Sequence, residues 1–332
     1  MNVRIASAAY VLPEEEASAE AILNAEQERV AAALAPLSPR ARQLATQNLG
    51  IASVRVCGAQ RPCDLALEAA REALRRAGLA PRDLDFLLDF STFPGDGPQS
   101  VSLAHWLSSE LGAETSLNLA FRGGGCGALH LAIKTALGWM AQEERIRTAL
   151  LVTGDGAPCG NRSLLPVTIQ GDGASAMLLS RDAAEGPALL GVEAMTLGHL
   201  HDAIALRPSP NGIEIVADAV AIEQRVMPIV YLHLHRLVHK LLAAHALSIG
   251  DVDHFVYSNI SQRDRDGFRR MMALTEDRLP TTRMARIGHT FSSDLVVNYA
   301  DLLAADRIRP GQLILFASSG AGFTWGASLA RA

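Results

Sequence analysis

The chain has 332 residues, enough for about two domain-sized units and a large buried core. Hydrophobic residues make up 49% and charged residues 20%, which excludes a disordered tail or a charged polymer. The net charge of -5 argues against nucleic-acid binding by bulk charge, so no nucleic-acid partner is expected. No apolar run reaches about 18 residues, so no membrane span is expected either. The start, Met1-Asn2-Val3-Arg4-Ile5, carries no apolar leader pattern, and no signal peptide is expected. Four scattered cysteines, Cys57, Cys63, Cys126 and Cys159, form no disulfide framework and no CxxC pair. A reducing, cytoplasmic setting follows as the expectation, and it permits a free reactive thiol.

In chain order, residues 3–10 read as an opening strand ended by Pro13, followed by a Glu-rich helical stretch over 14–47. Residues 64–77 place Leu65, Leu67, Ala69, Ala73, Leu74 and Ala77 mostly on one helical face, and Gly78 closes the helix. Phe86-Leu87-Leu88 reads as a buried strand, as do 146–153 and 312–318. Strands alternating with helices predict an α/β protein with largely parallel sheets.

The pattern echoes itself. Asp83-Leu84-Asp85-Phe86-Leu87-Leu88 follows a helix and a turn, and so does Asp251-Val252-Asp253-His254-Phe255-Val256. About forty residues after each pair comes a loop followed by a helix. The first loop holds Cys126 and the second holds His289. Taken by themselves, these two segments are weak evidence of duplication.

Phe121-Arg122-Gly123-Gly124-Gly125-Cys126-Gly127-Ala128 runs into an apolar helix. The glycines allow a tight strand-to-helix turn, and Cys126 falls at or near the helix N-terminus, where free N–H groups and the helix dipole favour a thiolate. The same segment also fits a glycine turn before a buried cysteine. A phosphate-cradling loop fits less well, because the Lys and the GxGxxG spacing are missing.

A thiol nucleophile needs a proton acceptor. His235 and His239 form an HxxxH pair without the Glu of a metalloprotease helix, so no metal site is expected. His289 lies in Gly288-His289-Thr290-Phe291-Ser292-Ser293-Asp294, just before the helix LVVNYADLL. Asp294, in that helix's first turn, is placed to fix the imidazole tautomer; plain helix N-terminal charge is the other reading. Cys159 sits in a Pro/Gly loop and reads as structural.

These segments together resemble the thiolase superfamily, and specifically β-ketoacyl-ACP synthase III. The resemblance runs from YVLPE through DLALEAAREALRRAGLAPRDLDFLL and the Cys126 loop to Gln170-Gly171-Asp172-Gly173-Ala174-Ser175-Ala176 and Gly320-Ala321-Gly322-Phe323-Thr324-Trp325-Gly326-Ala327. It implies a five-layered αβαβα fold with two pseudo-symmetric halves, taken as residues 1–170 with the nucleophile and 171–332 with the catalytic His. It also implies a homodimer. By resemblance Cys126 accepts the acyl group, and its backbone N–H with the Gly320 to Gly322 loop forms the oxyanion hole.

The departures from the family pattern matter. Condensing members carry His in a PHQAN-like motif and Asn in a GNTS-like motif. Here Val256-Tyr257-Ser258-Asn259-Ile260-Ser261 puts Ser258 at the His position with Asn259 beside it, and His289 stands where the family has Asn. Asn259 is taken as a substrate-binding candidate. Cys126, His289 and Asp294 then resemble the acyltransferase branch of these synthases, found in polyketide and related secondary metabolism. The substrate implied is an acyl-CoA or acyl-ACP thioester, with no other cofactor. The acceptor is an ACP thiol or a small molecule. No second Cys appears near Ala317-Ser318-Ser319-Gly320, as a thiolase would need. Arg263, Arg265, Arg269 and Arg270 on one predicted helix form a candidate patch for the acidic carrier protein; a solvated helix face is the plain alternative. A Claisen-type ketosynthase with a rearranged site, and a non-catalytic partner subunit, remain as other readings.

Overall fold

The computed structural model describes residues 2–30, 47–93, 102–158, 161–209, 212–280 and 282–332. Part of the predicted 14–47 helical stretch and Cys159 lie outside them. Within that stretch the chain forms a short strand, Glu15–Ser18, and then a helix, Ala19–Val30, where the reading expected helix alone.

Nine strands build the central sheet: β1 (Arg4–Val11), β2 (Phe86–Asp89), β3 (Leu117–Ala120), β4 (Thr148–Asp155), β5 (Gly173–Ser180), β6 (Ala188–Thr196), β7 (His254–Tyr257), β8 (Leu313–Gly320) and β9 (Thr324–Arg331). Their order is β7-β8-β9-β6-β1-β5-β4-β2-β3. Two halves emerge from the pairing. From β1 outward the steps to β5 and β4 are antiparallel and the step to β2 is parallel. From β6 outward the steps to β9 and β8 are antiparallel and the step to β7 is parallel. The first half adds β3, parallel to β2. The halves meet where β1 pairs with β6 at Arg4 and Ala188.

The Asp-x-Asp echo has a structural cause. Asp85 Oδ2 accepts the backbone N–H groups of Arg147 and Thr148 at 2.9 Å, at the start of β4 beside β2. Asp253 Oδ2 accepts the Leu313 N–H at 2.7 Å, at the start of β8 beside β7. Each aspartate ties a strand to its parallel neighbour at the same point of the repeat. Strand pairing also moves the join. A division at 170/171 would leave β5 in the second half, yet β5 is hydrogen-bonded between β1 and β4. By pairing, the first half therefore runs through Ser180.

Alternation along the strands sorts their side chains into layers, because successive residues point to opposite faces. Phe86 and Leu88, Ala149 and Leu151, Val256, Ile314 and Phe316 pack in one cluster with helices α3 (Ala128–Gln142) and α6 (Asp294–Ala304). Leu87, Leu150 and Val152 face the other way, onto α1 (Pro62–Ala77) and α2 (Leu103–Leu111). Phe255, Leu313, Leu315 and Trp325 pack against α4 (Met227–Ala243) and α5 (Gln262–Met271). The result is αβαβα, with α3 and α6 in the middle layer. The strands are apolar on both faces because both faces are covered. Helix α1 ends as expected, with Pro62 in its first turn and Gly78 in a left-handed C-cap. No helix among the described residues is long and apolar enough to cross a membrane.

Candidate active site

The two middle-layer helices start at the site. Cys126 occupies a single 3₁₀ turn, Gly125–Gly127, that leads directly into α3. His289 precedes the turn Phe291–Ser293 that leads into α6. The pseudo-symmetric placement of the two loops brings the residues face to face. His289 Nε2 lies 2.8 Å from Cys126 Sγ, and His289 Nδ1 lies 2.6 Å from Asp294 Oδ2.

Asp294 is buried, and four donors compensate the loss of water. Besides His289, its Oδ2 accepts the Asn259 backbone N–H at 2.6 Å. Its Oδ1 accepts both the N–H and the hydroxyl of Thr290 at 2.8 Å. Asp294 is thus the hub that joins the His289 loop to the end of β7. For His289, burial acts to lower the pKa, but the opposing pull of Cys126 and Asp294 wins and holds the imidazole well above its ordinary range. The site therefore favours the protonated imidazole between Cys126 and Asp294. His130, four residues after Cys126, is no competitor. Burial pushes it down to about 3, and its Nδ1 is engaged with Ser328 Oγ at 2.7 Å.

The backbone around the thiol is close-packed. A Cβ on Gly320 would lie 2.5 Å from the Cys126 backbone N, and one on Gly125 would lie 2.7 Å from the Ala321 N. Only glycine lets the 320–322 loop and the cysteine turn approach so closely. Gly320 is thus brought against Cys126; Gly322 sits further off, with its nearest cross-loop atom, the Gly123 carbonyl, 3.6 Å from an added Cβ. Ser292 Oγ donates to the Gly125 carbonyl at 3.1 Å and also meets Thr92 Oγ1 at 2.8 Å, pinning the turn to the His289 loop. Phe291 holds a left-handed backbone, φ 53°, unusual for a bulky residue. Its ring packs edge-on against Phe93 and flanks His289.

Two expected site residues are placed differently. Asn259 is buried behind the triad. Its carboxamide pairs with that of Asn298 at 3.0 and 3.3 Å, so it is committed to structure and does not line the cysteine cavity. Its contribution to the site is its backbone N–H on Asp294. Ser258, at the position of the family His, is buried and also stays outside that cavity. The arginine patch divides as well. Arg265 is buried and donates to the Leu279 and Pro280 carbonyls, whereas Arg263 and Arg270 are exposed and Arg269 is partly exposed near Glu276. Two residues apart on a helix is about 200°, so Arg263 and Arg265 cannot share a face.

Thr290, Asn298 and Gln170 are part of the site's framework and were not singled out from the sequence. Thr290 stands four residues before Asp294, a spacing that could have suggested its hydrogen bonds. Asn298 and Gln170 carry no such local signal. Gln170 follows Ile169, whose carbonyl accepts the His289 N–H at 3.0 Å; the next residue, Gly171, donates to the His289 carbonyl at 3.0 Å.

A cavity of about 70 Å³ surrounds Cys126 and His289, and its described lining includes Thr92, Gln170 and Gly320. Through Val167, Ile204, Ile260, Ser319 and Phe323 it shares walls with a groove of about 350 Å³ that Arg263 borders. A larger cleft of about 420 Å³, lined in part by Arg265, Arg283 and Arg307, contains none of the triad. Among the described residues no cluster of three or more His, Cys, Asp or Glu is placed to hold a metal ion.

Comparison with known proteins finds similar chains and similar folds. A family described as 3-oxoacyl-[acyl-carrier-protein (ACP)] synthase III C terminal matches residues 242–332. A β-ketoacyl-[acyl-carrier-protein] synthase III of Erythrobacter litoralis is 26% identical over 295 residues, covering 86% of this chain and 89% of the relative. The chain is similar to β-ketoacyl-ACP synthases III and shares the fold of their solved structures. The synthase III FabH of Pseudomonas aeruginosa PAO1 superposes with a TM-score of 0.81 at 22% identity, covering 100% of this chain and 98% of that one. The acyltransferase ChlB3 gives 0.81 at 23% identity, with the same coverage. The proteins it is similar to are thus named as synthases and an acyltransferase.

Proposed function

We propose that this chain is an acyltransferase that carries its acyl group on Cys126. The observation that carries the reading is the continuous line from Cys126 Sγ through His289 to Asp294, at 2.8 and 2.6 Å. In the first half-reaction Cys126 Sγ passes its proton to His289 Nε2 and attacks the carbonyl of an acyl-CoA or acyl-ACP thioester. The oxyanion takes hydrogen bonds from backbone N–H groups of Cys126 and the Gly320 to Gly322 loop. The tetrahedral adduct collapses, and the departing thiolate receives the His289 Nε2 proton. In the second half-reaction an acceptor thiol, hydroxyl or amine gives its proton to His289 Nε2 and attacks the acyl-cysteine, releasing Sγ. Asp294 holds the ring and offsets its charge throughout.

The groove bordered by Arg263 is the natural path for a thioester's arm, and exposed Arg263 and Arg270, with partly exposed Arg269, suit an acidic carrier protein. The reading carries with it a homodimer, a cytosolic setting and a role in secondary metabolism. The fold shared with ChlB3 is consistent with it. A second reading, decarboxylative condensation, is favoured by the name of the sequence relatives. Against it stands the lining of the Cys126 cavity. Among the described residues His289 is its one imidazole, and Ser258, which replaces the family His, is not exposed to it.

The test supplies an acyl-CoA together with malonyl-ACP and candidate acceptors. Intact-mass spectrometry reads the acyl-Cys126 adduct, and carbon dioxide release is followed in parallel. Acyl transfer without carbon dioxide supports the proposal. Robust carbon dioxide release with a new C–C bond overturns it in favour of condensation.

A further inference from the structure

Gln170 presents an unsatisfied polar group to the acyl cavity. Its side chain is 1% exposed and lines the cavity that holds Cys126. The carboxamide oxygen is buried without a hydrogen-bond partner, and no described side chain or backbone group pairs with its nitrogen. Its backbone is fixed, because the flanking residues bracket His289 and its own N–H donates to the Arg162 carbonyl at 2.8 Å. The rest of that lining is largely apolar, with Leu164, Val167, Ile204, Ile215, Ile260 and Phe323. A lone carboxamide among such groups is costly unless something polar meets it.

From this we infer that the acyl group carried on Cys126 bears a hydroxyl that hydrogen-bonds to Gln170; the inference rests on the acyl-enzyme reading above. Size, charge and bonding pattern each narrow the choice. The cavity of about 70 Å³ is less than half the roughly 150 Å³ that admits benzene, so the acyl chain is short. No Arg or Lys is among the described residues lining it, which disfavours a second carboxylate. A carboxamide both donates and accepts, and a neutral hydroxyl is its matching partner. The substrate class assigned is a short hydroxyacyl thioester.

The test compares isosteric pairs in which a hydroxyl replaces a methyl: lactoyl-CoA against isobutyryl-CoA, and 3-hydroxybutyryl-CoA against isovaleryl-CoA. The readout is the rate of adduct formation on Cys126 by mass spectrometry. At least one hydroxyacyl member should load roughly 5- to 150-fold faster than its partner, the span expected from leaving a buried polar group unpaired. Gln170→Leu and Gln170→Met should each erase that preference, read as the ratio of the two rates within each pair whatever the absolute rate of loading. Equal rates within both pairs, or a preference that survives in the variants, would overturn the hydroxyacyl assignment while leaving the acyl-enzyme intact. The wild-type comparison decides this even if a variant does not fold. No Cys126 adduct from any of the four thioesters would remove the acyl-enzyme reading, and the inference with it.

Discussion

Gly320 and Cys126 are in contact through their backbones. A side-chain carbon on Gly320 would sit 2.5 Å from the Cys126 nitrogen and 2.4 Å from the Gly124 carbonyl oxygen. Both obstacles are backbone, so neither can rotate away. The strand end β8 and the cysteine turn are therefore held together by the absence of one methyl group.

Gly320→Ala should consequently push the 320–322 loop away from the thiol. Adduct formation on Cys126 should fall by about 10²–10³, the usual effect of losing one oxyanion donor. The fold should survive, as read by circular dichroism. Wild-type acylation rates in a folded Gly320→Ala protein would show that the loop plays no part in the chemistry.

The elevated His289 pKa has a sign that can be tested. Burial lowers it, while Cys126 and Asp294 raise it by more. The folded value lies above the unfolded one of about 6.5. The stabilisation from protonated His289 is thus fully present below about pH 6.5 and is lost as pH rises through the folded value. Cys126→Ala and Asp294→Asn each remove one support, so in both the ring should titrate at lower pH than in the wild type. NMR of the imidazole nitrogens reads this directly. A wild-type ring titrating at or below 6.5 would contradict the ion-pair geometry.

His289→Ala should slow acyl transfer by about 10²–10⁴, the span of general acid–base assistance. Asp294→Asn removes the acceptor that fixes the imidazole tautomer, and its cost should be similar or smaller. Steady-state transfer kinetics with a saturating thioester give both numbers. Unimpaired transfer by His289→Ala would leave the cysteine without its proposed base.

The arginines of α5 should divide by burial. Arg263→Glu and Arg270→Glu should weaken use of an acyl-ACP, more so at low salt, with little change in thermal stability. Arg265→Ala leaves the Leu279 and Pro280 carbonyls without their charged donor, and should destabilise the fold by about 1.5–3 kcal/mol. Thermal melts and carrier-protein kinetics on the same variants separate the two effects. Identical behaviour of Arg263 and Arg265 variants in both assays would refute the division.

Local patterns made much of this protein legible from its sequence alone. Helical spacing over 64–77, the apolar strands, the glycine turn before Cys126 and the short distance from His289 to Asp294 are all set by neighbours along the chain. The Asp85 and Asp253 echo was visible because each repeat needs the same strand-to-strand tie. What only the tertiary structure decided concerns partners far apart in sequence. Whether Asn259 faces substrate or Asn298 depends on how β7 packs against α6. Whether Arg265 is solvated depends on the carbonyls that the 279–280 segment brings to it. Gln170 reaches the Cys126 cavity because its backbone is stitched beside His289, 119 positions away by residue number (289 minus 170). Spacing along a chain determines which face a side chain takes; which groups meet it there is determined by packing.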